Sequence, residues 1–493
     1  MQRKQLTLVI VSLLVVVLSV SLAWFTTQII GKGKNLNVSS ANLQIVFTDS
    51  DGSISGSNIE PGWSATKTFT VQNNSKSEYK YNIVIKDLLN TFVTNGYLKY
   101  KITSTNDGYN MTEFKDIPKS SVATDTILAF SVVIPNGVTQ SYTIEFKYAN
   151  DESVDQSEDM GKKLSGTLFI TEGTEDPNKT LYNQLLVDKS TKLTRTDFST
   201  VYTSNNTKTL YTSTENGTTV YYFAGNATDN WVKFGKNASN QDLYWRIIRT
   251  NSDGSVRLLY HGTSTTATDA YIGESAFNSS YNNIASVSYM YGSLGGIPNA
   301  RENTTNSTIK TIIDNWYKDN LNTNYGKYLS TTAVYCNDRS TSDNYEFGAY
   351  TRLDTNKTPT YDCATTEDKF TVDTSTGNGK LTYPIALMTA DEVAFAGGVD
   401  ATNAETWYYY NSANGSSTGS TWWWLLSPYF WDDRYAFVFG VDGSSSPGRL
   451  ASYRVGSTYG VRPAISLKSC VKYSTGNGSA SDPYTIKETT SGC

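Results

Sequence analysis

Charged side chains and histidine are scarce in this sequence of 493 residues. Asp, Glu, Lys and Arg together make up 18% of it, and the formal net charge is -5. A nucleic-acid-binding surface needs clustered Lys and Arg, so this composition argues against nucleic acid as a partner. His261 is the single histidine, it stands in a Gly-Thr-Ser turn after SVRLLY, and no G-x-S-x-G elbow occurs. We therefore interpret His261 as a turn residue and expect neither a catalytic residue nor an enzyme.

Cysteine is also rare, and none of the four cysteines belongs to a C-x-x-C motif. Without the ligand spacing that zinc needs, no zinc site is expected. The cysteines form two local pairs in the sequence, Cys336 with Cys363 and Cys470 with Cys493. Of the three connectivities that four cysteines allow, the one that joins these local pairs is the simplest in an exported chain. We expect no metal and no cofactor.

A long apolar run, residues 6–25, follows Arg3 and Lys4. This pattern is typical of a secretory signal, with Ser21-Leu22-Ala23 as a small-x-small cleavage site. The run is also long enough to span a bilayer as a helix. Residues 1–31 are therefore predicted to be a signal peptide or a retained membrane anchor. Either alternative places the rest of the chain outside the cytoplasm and limits membrane contact to this segment.

Residues 32–173 alternate polar and apolar side chains in short runs, for example YKYNIVI, ILAFSVVI and QSYTIEFKY. This period of two predicts an all-β sandwich of the jelly-roll or Ig-like type, followed by a polar linker at residues 174–180. The signal ending in LAWFT and the segment IEPGWSATKTFTVQNNSKSEYKYNIVI resemble secreted Gram-positive proteins of the camelysin and biofilm-fibre type. That resemblance implies an extracellular matrix or a surface stalk, in which the sandwich can mediate self-assembly.

Helical and strand patterns alternate in residues 181–469. A helix is predicted from Leu181 to Val187, and the pair YWRIIRT and SVRLLY around NSDG predicts a β-hairpin. An amphipathic helix is predicted from Thr308 to Leu321, with a core-facing stripe of Ile309, Ile312, Ile313 and Trp316.

A capping box, Thr389-Ala-Asp-Glu392, predicts the start of another helix, which Gly397-Gly398 ends. The last residues, 470–493, are predicted to form a short tail that the Cys470–Cys493 disulfide closes.

Three segments, YPIALMTADEVAFAGG, WWWLLSP and YGVRPAISL, resemble the C-type-lectin-like fold. The version they resemble is that of formylglycine-generating enzymes, of the variable proteins of diversity-generating retroelements and of large Firmicutes surface proteins. The resemblance implies an α+β domain over residues 181–469. In retroelement variable proteins, the segment before the closing strand faces solvent and tolerates many sequences, and residues 429–457 stand in that place here. The whole chain is thus predicted to be multidomain, a β-sandwich followed by a C-type-lectin-like domain.

The segment between the WWWLLSP strand and the closing strand interleaves aromatic and arginine side chains with Ser and Gly. This composition is typical of a binding surface, because rigid amphipathic rings supply contact area at a low entropy cost. The rings would provide stacking contacts and the charged groups would provide hydrogen bonds. The predicted ligand-binding residues are Tyr429, Phe430, Trp431, Asp433, Arg434, Tyr435, Phe439, Arg449, Tyr453 and Arg454.

Neighbouring residues are assigned to the framework of the domain. Since side chains alternate along a strand, Trp422 and Trp424 are predicted to share one face and Trp423 to take the other. Phe437 is predicted to pack inside. Arg462 is predicted to pair with a buried carboxylate such as that of Glu392.

These patterns predict an exported bacterial protein, extracellular or on the cell surface, that displays an adhesin-like ligand-binding surface. Its partner would be an unknown protein or glycan outside the cell. Two alternatives stay open at this point. One is a structural subunit of a matrix or fibre, and the other is a formylglycine-generating-type enzyme, whose cysteines would have to be a reactive pair rather than oxidised bridges.

Overall fold

The computed structural model describes residues 36–40, 43–49, 53–55, 59–267, 270–341, 346–399, 422–443 and 448–493. The chain divides into two compact units, Met1–Pro177 and Asn178–Cys493. The predicted signal or anchor at residues 1–31 lies outside the described residues. No helix among the described residues is long and apolar enough to cross a membrane.

The first unit is built from antiparallel β-strands, as the period of two in its sequence indicates. Its described strands are β1 (Leu36–Ser40), β2 (Leu43–Asp49), β3 (Ser53–Ser55), β4 (Ser64–Asn73), β5 (Tyr79–Asn90), β6 (Leu98–Ser104), β7 (Lys115–Asp116), β8 (Ser120–Ile134), β9 (Thr139–Tyr148) and β10 (Leu164–Glu172). They form a six-stranded sheet in the order β1-β2-β4-β9-β6-β7 and a four-stranded sheet in the order β3-β10-β5-β8.

The buried side chains of these two sheets belong to one hydrophobic core. In β9, every second residue is buried, so this strand covers the core with one face and meets solvent with the other. Val71 and Ile144 of the six-stranded sheet join Ile83 and Leu168 of the four-stranded sheet in the same cluster. The unit is therefore β-rich, with its apolar faces turned toward a common interior.

The second unit combines a large sheet with a smaller one. Its strands are β11 (Thr191–Thr194), β12 (Thr209–Glu215), β13 (Thr218–Tyr222), β14 (Trp231–Lys236), β15 (Asp242–Thr250), β16 (Val256–Gly262), β17 (Glu274–Ala276), β18 (Met290–Tyr291), β19 (Thr305–Asn306), β20 (Tyr335–Cys336), β21 (Lys369–Phe370), β22 (Ile385–Leu387), β23 (Trp423–Trp431), β24 (Ala436–Val441), β25 (Leu450–Arg454), β26 (Thr458–Gly460), β27 (Pro463–Leu467), β28 (Tyr473–Thr475) and β29 (Tyr484–Ile486).

The large sheet contains ten of the described strands. Seven follow the order β11-β12-β13-β15-β14-β29-β28, and β16, β27 and β22 extend it beside β15. The smaller, five-stranded sheet has the order β17-β26-β23-β24-β25, and two further strand pairs are β18–β19 and β20–β21. One hydrophobic cluster includes side chains of both sheets, such as Leu258 and Ile465 of the large sheet and Trp424 and Val438 of the small one.

The helices of the second unit are short. They are α1 (Leu181–Asp188), α2 (Ile297–Ala300), α3 (Thr308–Asn320), α4 (Asn322–Tyr325), α5 (Gly348–Tyr350) and α6 (Ala390–Ala396). The predictions for α1, α3 and α6 are confirmed, as are the capping box of Thr389 and Glu392 and the helix end at Gly397. In α3, Ile309 and Ile313 are buried, but Ile312 is 37% exposed. Ile312 thus lies at the edge of the apolar stripe rather than within it.

The hairpin predicted around NSDG is confirmed, since β15 and β16 pair antiparallel. His261, predicted to be a turn residue, lies instead within β16 and is fully buried. Its ring packs edge to face on Trp231, with the ring centres 4.4 Å apart. The single histidine is therefore a core side chain of the large sheet.

Both predicted disulfides are present, Cys336–Cys363 and Cys470–Cys493. Disulfides persist in oxidising compartments, so the two bonds indicate that this protein resides outside a reducing cytoplasm. The C-terminal tail contributes the strands β28 and β29 to the large sheet, where β29 pairs in parallel with β14. Residues 470–493 are thus integrated into the second unit.

Candidate functional site

The candidate site is built on the hairpin that β23 and β24 form. The turn between them, WDDRY, is fixed by its own first aspartate: Asp432 Oδ1 accepts hydrogen bonds from the backbone N–H groups of Arg434 (3.0 Å) and Tyr435 (2.5 Å). Asp433 has a φ of 66°, a left-handed conformation that Asp tolerates better than most residues. The acidic doublet therefore shapes a turn that projects Asp433 and Arg434 into solvent.

The tryptophans of β23 hold this hairpin against the core. Trp424 is fully buried, meets Phe277 edge to face and donates from Nε1 to the carbonyl of Ser275 at 2.8 Å. Trp422 stacks on Tyr453 on the same face, with ring centres 4.1 Å apart. Trp423 lies on the other face, with the guanidinium of Arg462 5.1 Å from its ring centre. The predicted alternation of the three tryptophans is confirmed.

Two of the predicted ligand-binding side chains belong to the core. Phe439 is 0% exposed and packs edge to face on Tyr429, with ring centres 4.7 Å apart. Tyr453 is 7% exposed and lies beneath Trp422, and burial raises the pKa of its hydroxyl above the usual value. The assignment of Phe439 and Tyr453 to ligand contact is wrong. The reason is that other side chains cover both faces of the small sheet at this point. Phe439 of β24 packs on Tyr429, and Tyr453 of β25 packs among Trp422, Trp424 and Tyr459.

A third predicted contact, Arg449, is engaged within the protein. Its Nη2 lies 3.2 Å from Oδ2 of Asp442, whose side chain is fully buried. A buried carboxylate needs such a partner, because an unpaired charge in the interior is costly. Arg449 therefore serves the stability of the small sheet.

Four aromatic side chains and one arginine form a continuous row that is partly or fully exposed to solvent. We call Phe430, Phe437, Arg454, Tyr435 and Tyr281, in that order, the aromatic ladder. Phe430 and Phe437 stack with ring centres 4.4 Å apart and an interplanar angle of 9°. The guanidinium of Arg454 lies 4.0 Å from the ring centre of Tyr435 and 5.9 Å from that of Phe437. Tyr435 then stacks on Tyr281 at 6.1 Å.

Pairing between strands explains the middle of the ladder. Phe437 of β24 and Arg454 of β25 are direct cross-strand partners, so their side chains stand on the same face of the small sheet. Phe437 is partly exposed, whereas the sequence analysis placed it inside. Tyr435 and Phe437 are two residues apart, a spacing at which side chains of an extended chain point to the same face.

Tyr281 was not predicted from the sequence, because it comes from a distant loop without periodic pattern. Its carbonyl accepts a hydrogen bond from the backbone N–H of Ala436 at 3.0 Å, which fixes the loop to the start of β24. A Cβ atom at Gly456 would come within 3.0 Å of the Tyr281 ring, so glycine at that position leaves room for the ring. Tyr281 is 47% exposed and forms the outer end of the ladder.

Three further predicted residues border the ladder. Arg434 is exposed, and its guanidinium lies 5.0 Å from the ring centre of Tyr435. Trp431 is partly exposed at the end of β23, next to the turn. Tyr429 is partly exposed and packs edge to face on Tyr350, with ring centres 4.8 Å apart. These side chains widen the surface without belonging to the stacked row.

Buried ion pairs support the unit beneath this surface. Glu392 Oε1 accepts from Arg257 Nη1 at 2.7 Å and from Arg249 Nε at 2.8 Å, and Arg249 also binds Glu215 at 2.8 Å. Burial alone would raise the pKa of Glu392, but the attraction of the two guanidinium groups outweighs it and lowers the pKa below its usual value. The ion-pair partners of Glu392 are Arg249 and Arg257, so the predicted pairing of Glu392 with Arg462 is wrong. Arg462 donates instead from Nε to the carbonyl of Tyr260 at 2.8 Å.

A small cavity lies beside these ion pairs. Arg249, Arg257, Arg352 and Cys336 are among its lining residues. Each of the three arginines binds a carboxylate, and Cys336 is oxidised in its disulfide. The described residues contain no group of three or more metal-ligating side chains that could hold an ion. The cavity therefore belongs to the scaffold, and the aromatic ladder is the candidate site.

Comparisons with known proteins give one family match. Residues 314–469 match a family described as a domain of unknown function, DUF6273. This match begins within α3 and ends after β27, so it includes the hairpin of the candidate site. No curated protein matches the chain.

Two solved structures show a distant similarity. A ruminal GH26 endo-beta-1,4-mannanase is 16% identical over 28% of this chain and 28% of the mannanase chain, with a TM-score of 0.15. AvmM, which catalyses macrocyclization in alchivemycin A biosynthesis, is 11% identical over 26% of this chain and 74% of AvmM, also with a TM-score of 0.15. The chain thus spans little more than a quarter of the mannanase, and similarities at this TM-score carry no argument about fold or function.

Proposed function

We propose that this chain is an exported bacterial surface protein whose second unit binds a ligand through the aromatic ladder. The observation that carries the proposal is the ladder itself: four aromatic rings and an arginine stacked in one row at the solvent-facing side of a buried hairpin. A protein that binds nothing gains little from keeping such a row partly exposed, since apolar surface is stabilised by burial.

The composition of the ladder matches that of binding hot spots. Tyr, Trp and Arg dominate the energetics of many interfaces, because they combine large contact areas with polar groups and few rotatable bonds. The rings of the ladder are also held by one another and by the cross-strand pairing of β24 and β25. A surface that is ordered before binding loses less conformational entropy when the ligand arrives.

The architecture proposed from the sequence suits this role. Two antiparallel sheets around one core support a β-sandwich stalk in the first unit. In the second unit, the strand β22, the capped helix α6 and the closing strand β27 follow the order expected of a C-type-lectin-like scaffold, and β22 pairs with β27. The two disulfides are consistent with export, and a location at the cell surface is part of the proposal.

Removal of the central rings of the ladder is expected to abolish binding. The full-length protein would be immobilised and screened against extracellular-matrix proteins, bacterial cells and polysaccharides. For any partner found, the double variant Tyr435→Ala and Phe437→Ala should weaken binding by about thirtyfold or more for each ring removed, since each hot-spot ring contributes about 2 kcal/mol or more.

The matched control for this experiment is Leu294→Ala, which removes an apolar side chain that is 52% exposed and lies outside the ladder. It should bind like the unmodified protein. Thermal unfolding would show that both variants are folded. If the folded double variant binds every partner as tightly as the control does, the proposed site is wrong.

Sequence variation in the source population tests whether this surface is diversified. Amplicon sequencing of codons 420–470 should show substitutions concentrated at adenine-containing codons of exposed or partly exposed positions, such as Asp433 and Tyr435. The buried positions Phe439 and Tyr453 should stay constant, because substitutions there would disrupt the core. A uniform sequence across the population would remove the proposal of diversification and leave a fixed binding surface.

A further inference from the structure

We propose that the ladder binds an acidic segment of a protein partner, with Arg434 and Arg454 each holding a carboxylate group. This inference rests on the ligand-binding role proposed above and adds the chemistry of the ligand. It follows from two features of the ladder, the state of its arginines and the orientation of its rings.

The two arginines differ from the other arginines of the described residues. Within the described residues, neither Arg434 nor Arg454 donates a guanidinium hydrogen bond to a protein acceptor, and both are exposed. Every other arginine of the described residues makes such a bond, namely Arg195, Arg246, Arg249, Arg257, Arg301, Arg339, Arg352, Arg449 and Arg462. The available guanidinium groups are therefore concentrated at the candidate site.

Stacking on Tyr435 orders both arginines before any ligand is present. The guanidinium carbons lie 4.0 Å (Arg454) and 5.0 Å (Arg434) from the ring centre. A stacked guanidinium keeps its N–H groups in its own plane, at its rim, where they can bind a carboxylate through two parallel hydrogen bonds. The side chains thus lose little additional entropy when a carboxylate binds.

The aromatic rings of the ladder also favour an anionic ligand. Phe437 has Phe430 stacked against it and Arg454 close by, and Tyr435 has Arg454 and Tyr281. Neighbouring side chains therefore occupy the faces of the two inner rings, Phe437 and Tyr435. The edges of these rings are left for contact with a ligand. The edge of an aromatic ring carries partial positive charge. Ring edges and guanidinium rims together make the ladder attractive to anionic groups.

The same arrangement favours a protein over a glycan. A sugar stacks on an open ring face, and the faces of Phe437 and Tyr435 already have neighbours. Asp432 and Asp433 are the acidic residues nearest the ladder in sequence. The carboxylate of Asp432 is directed into its own turn by two backbone N–H groups, and Asp433 is exposed. A flexible acidic segment can place successive carboxylates on Arg454 and Arg434 while its apolar atoms contact the ring edges.

Binding of a defined acidic peptide tests the inference. The probes are a soluble poly-glutamate peptide, a Gly-Ser peptide of equal length and the acidic polysaccharide polygalacturonate, each titrated against the full-length protein. Poly-glutamate should bind, the Gly-Ser peptide should not, and binding should weaken as salt is added. Arg434→Gln and Arg454→Gln should each reduce the affinity about tenfold or more, and Arg454→Lys should reduce it less.

Lys380→Gln is the matched control, because Lys380 is exposed and its replacement changes the net charge by the same amount. It should leave the affinity for poly-glutamate unchanged. If the control weakens binding as much as the arginine variants do, or if poly-glutamate does not bind, the inference is overturned. Binding of polygalacturonate without binding of poly-glutamate would also overturn it, in favour of an acidic glycan.

The ladder variants separate this inference from the function on which it rests. If Tyr435→Ala with Phe437→Ala abolishes binding to a partner from the screen while both arginine variants bind it normally, the surface binds a ligand but not through carboxylates. If neither the aromatic nor the arginine variants change binding to that partner, both proposals fail.

Discussion

Replacement of Glu392 by glutamine is expected to lower the free energy of unfolding of the second unit by about 3–5 kcal/mol. Glu392 is 1% exposed, and its carboxylate is the shared partner of the Arg249 and Arg257 guanidinium groups. Glutamine has a similar shape but no charge. The variant therefore leaves Arg257 buried without its carboxylate and leaves Arg249 with Glu215 alone.

The capping box is expected to contribute little to this loss. Glu392 Oε2 accepts from the backbone N–H of Thr389 at 3.0 Å, and the Thr389 hydroxyl accepts from the backbone N–H of Glu392 at 3.1 Å. A glutamine side chain can still accept the first of these bonds through its amide oxygen, so the charge effect dominates the expected loss. The measurement is a denaturant titration followed by tryptophan fluorescence, which reports mainly the second unit because only Trp24 and Trp63 precede residue 178.

The control for this prediction is Glu367→Gln. Glu367 is exposed in the same unit, and its replacement should change the free energy of unfolding by less than about 0.5 kcal/mol. If Glu392→Gln and Glu367→Gln have equal effects, the buried ion pairs do not stabilise the scaffold in the way that their geometry indicates.

Replacement of Trp424 by alanine is expected to cost about 3–5 kcal/mol, as is usual for the loss of a large core side chain. Trp424 is fully buried between Phe277 and Tyr459, and its Nε1 donates to the carbonyl of Ser275. Its removal leaves a cavity and also leaves that buried carbonyl without its side-chain donor. Thermal and denaturant unfolding would measure the loss.

Trp422→Ala provides the comparison within the same strand region. Trp422 stacks on Tyr453 and Tyr459, but it is only partly buried, so its removal should cost clearly less than that of Trp424. Equal losses at the two positions would contradict the burial that the structure assigns to them. The comparison also shows how firmly β23 is held, and β23 carries Phe430 of the ladder.

Local sequence determined the elements whose signals lie within a few residues of one another. The capping box at Thr389 and Glu392, the hairpin around NSDG and the apolar stripe of α3 depend on contacts between near neighbours. The alternation of the three tryptophans follows from the geometry of a strand. The pairing of the cysteines followed from their spacing and the expectation of export.

The composition of residues 429–457 indicated the region in which the candidate site lies. Phe430, Arg434, Tyr435 and Arg454 are accessible in the structure, and a mixture of rings and arginines was the signal that identified them. Residues 444–447 of this stretch lie outside the described residues.

The tertiary structure decided which of these side chains are available. A period of two tells which residues share a face, but whether a face is covered depends on strands that are distant in sequence. Phe439 became a core residue because Tyr429 covers it, and Tyr453 because Trp422, Trp424 and Tyr459 cover it. Tyr281 joined the ladder from a loop about 150 residues earlier in the sequence. Glu392 pairs with Arg249 and Arg257 rather than with Arg462. The folding of the large sheet brings these charges together, and the spacing of the residues along the chain does not predict it.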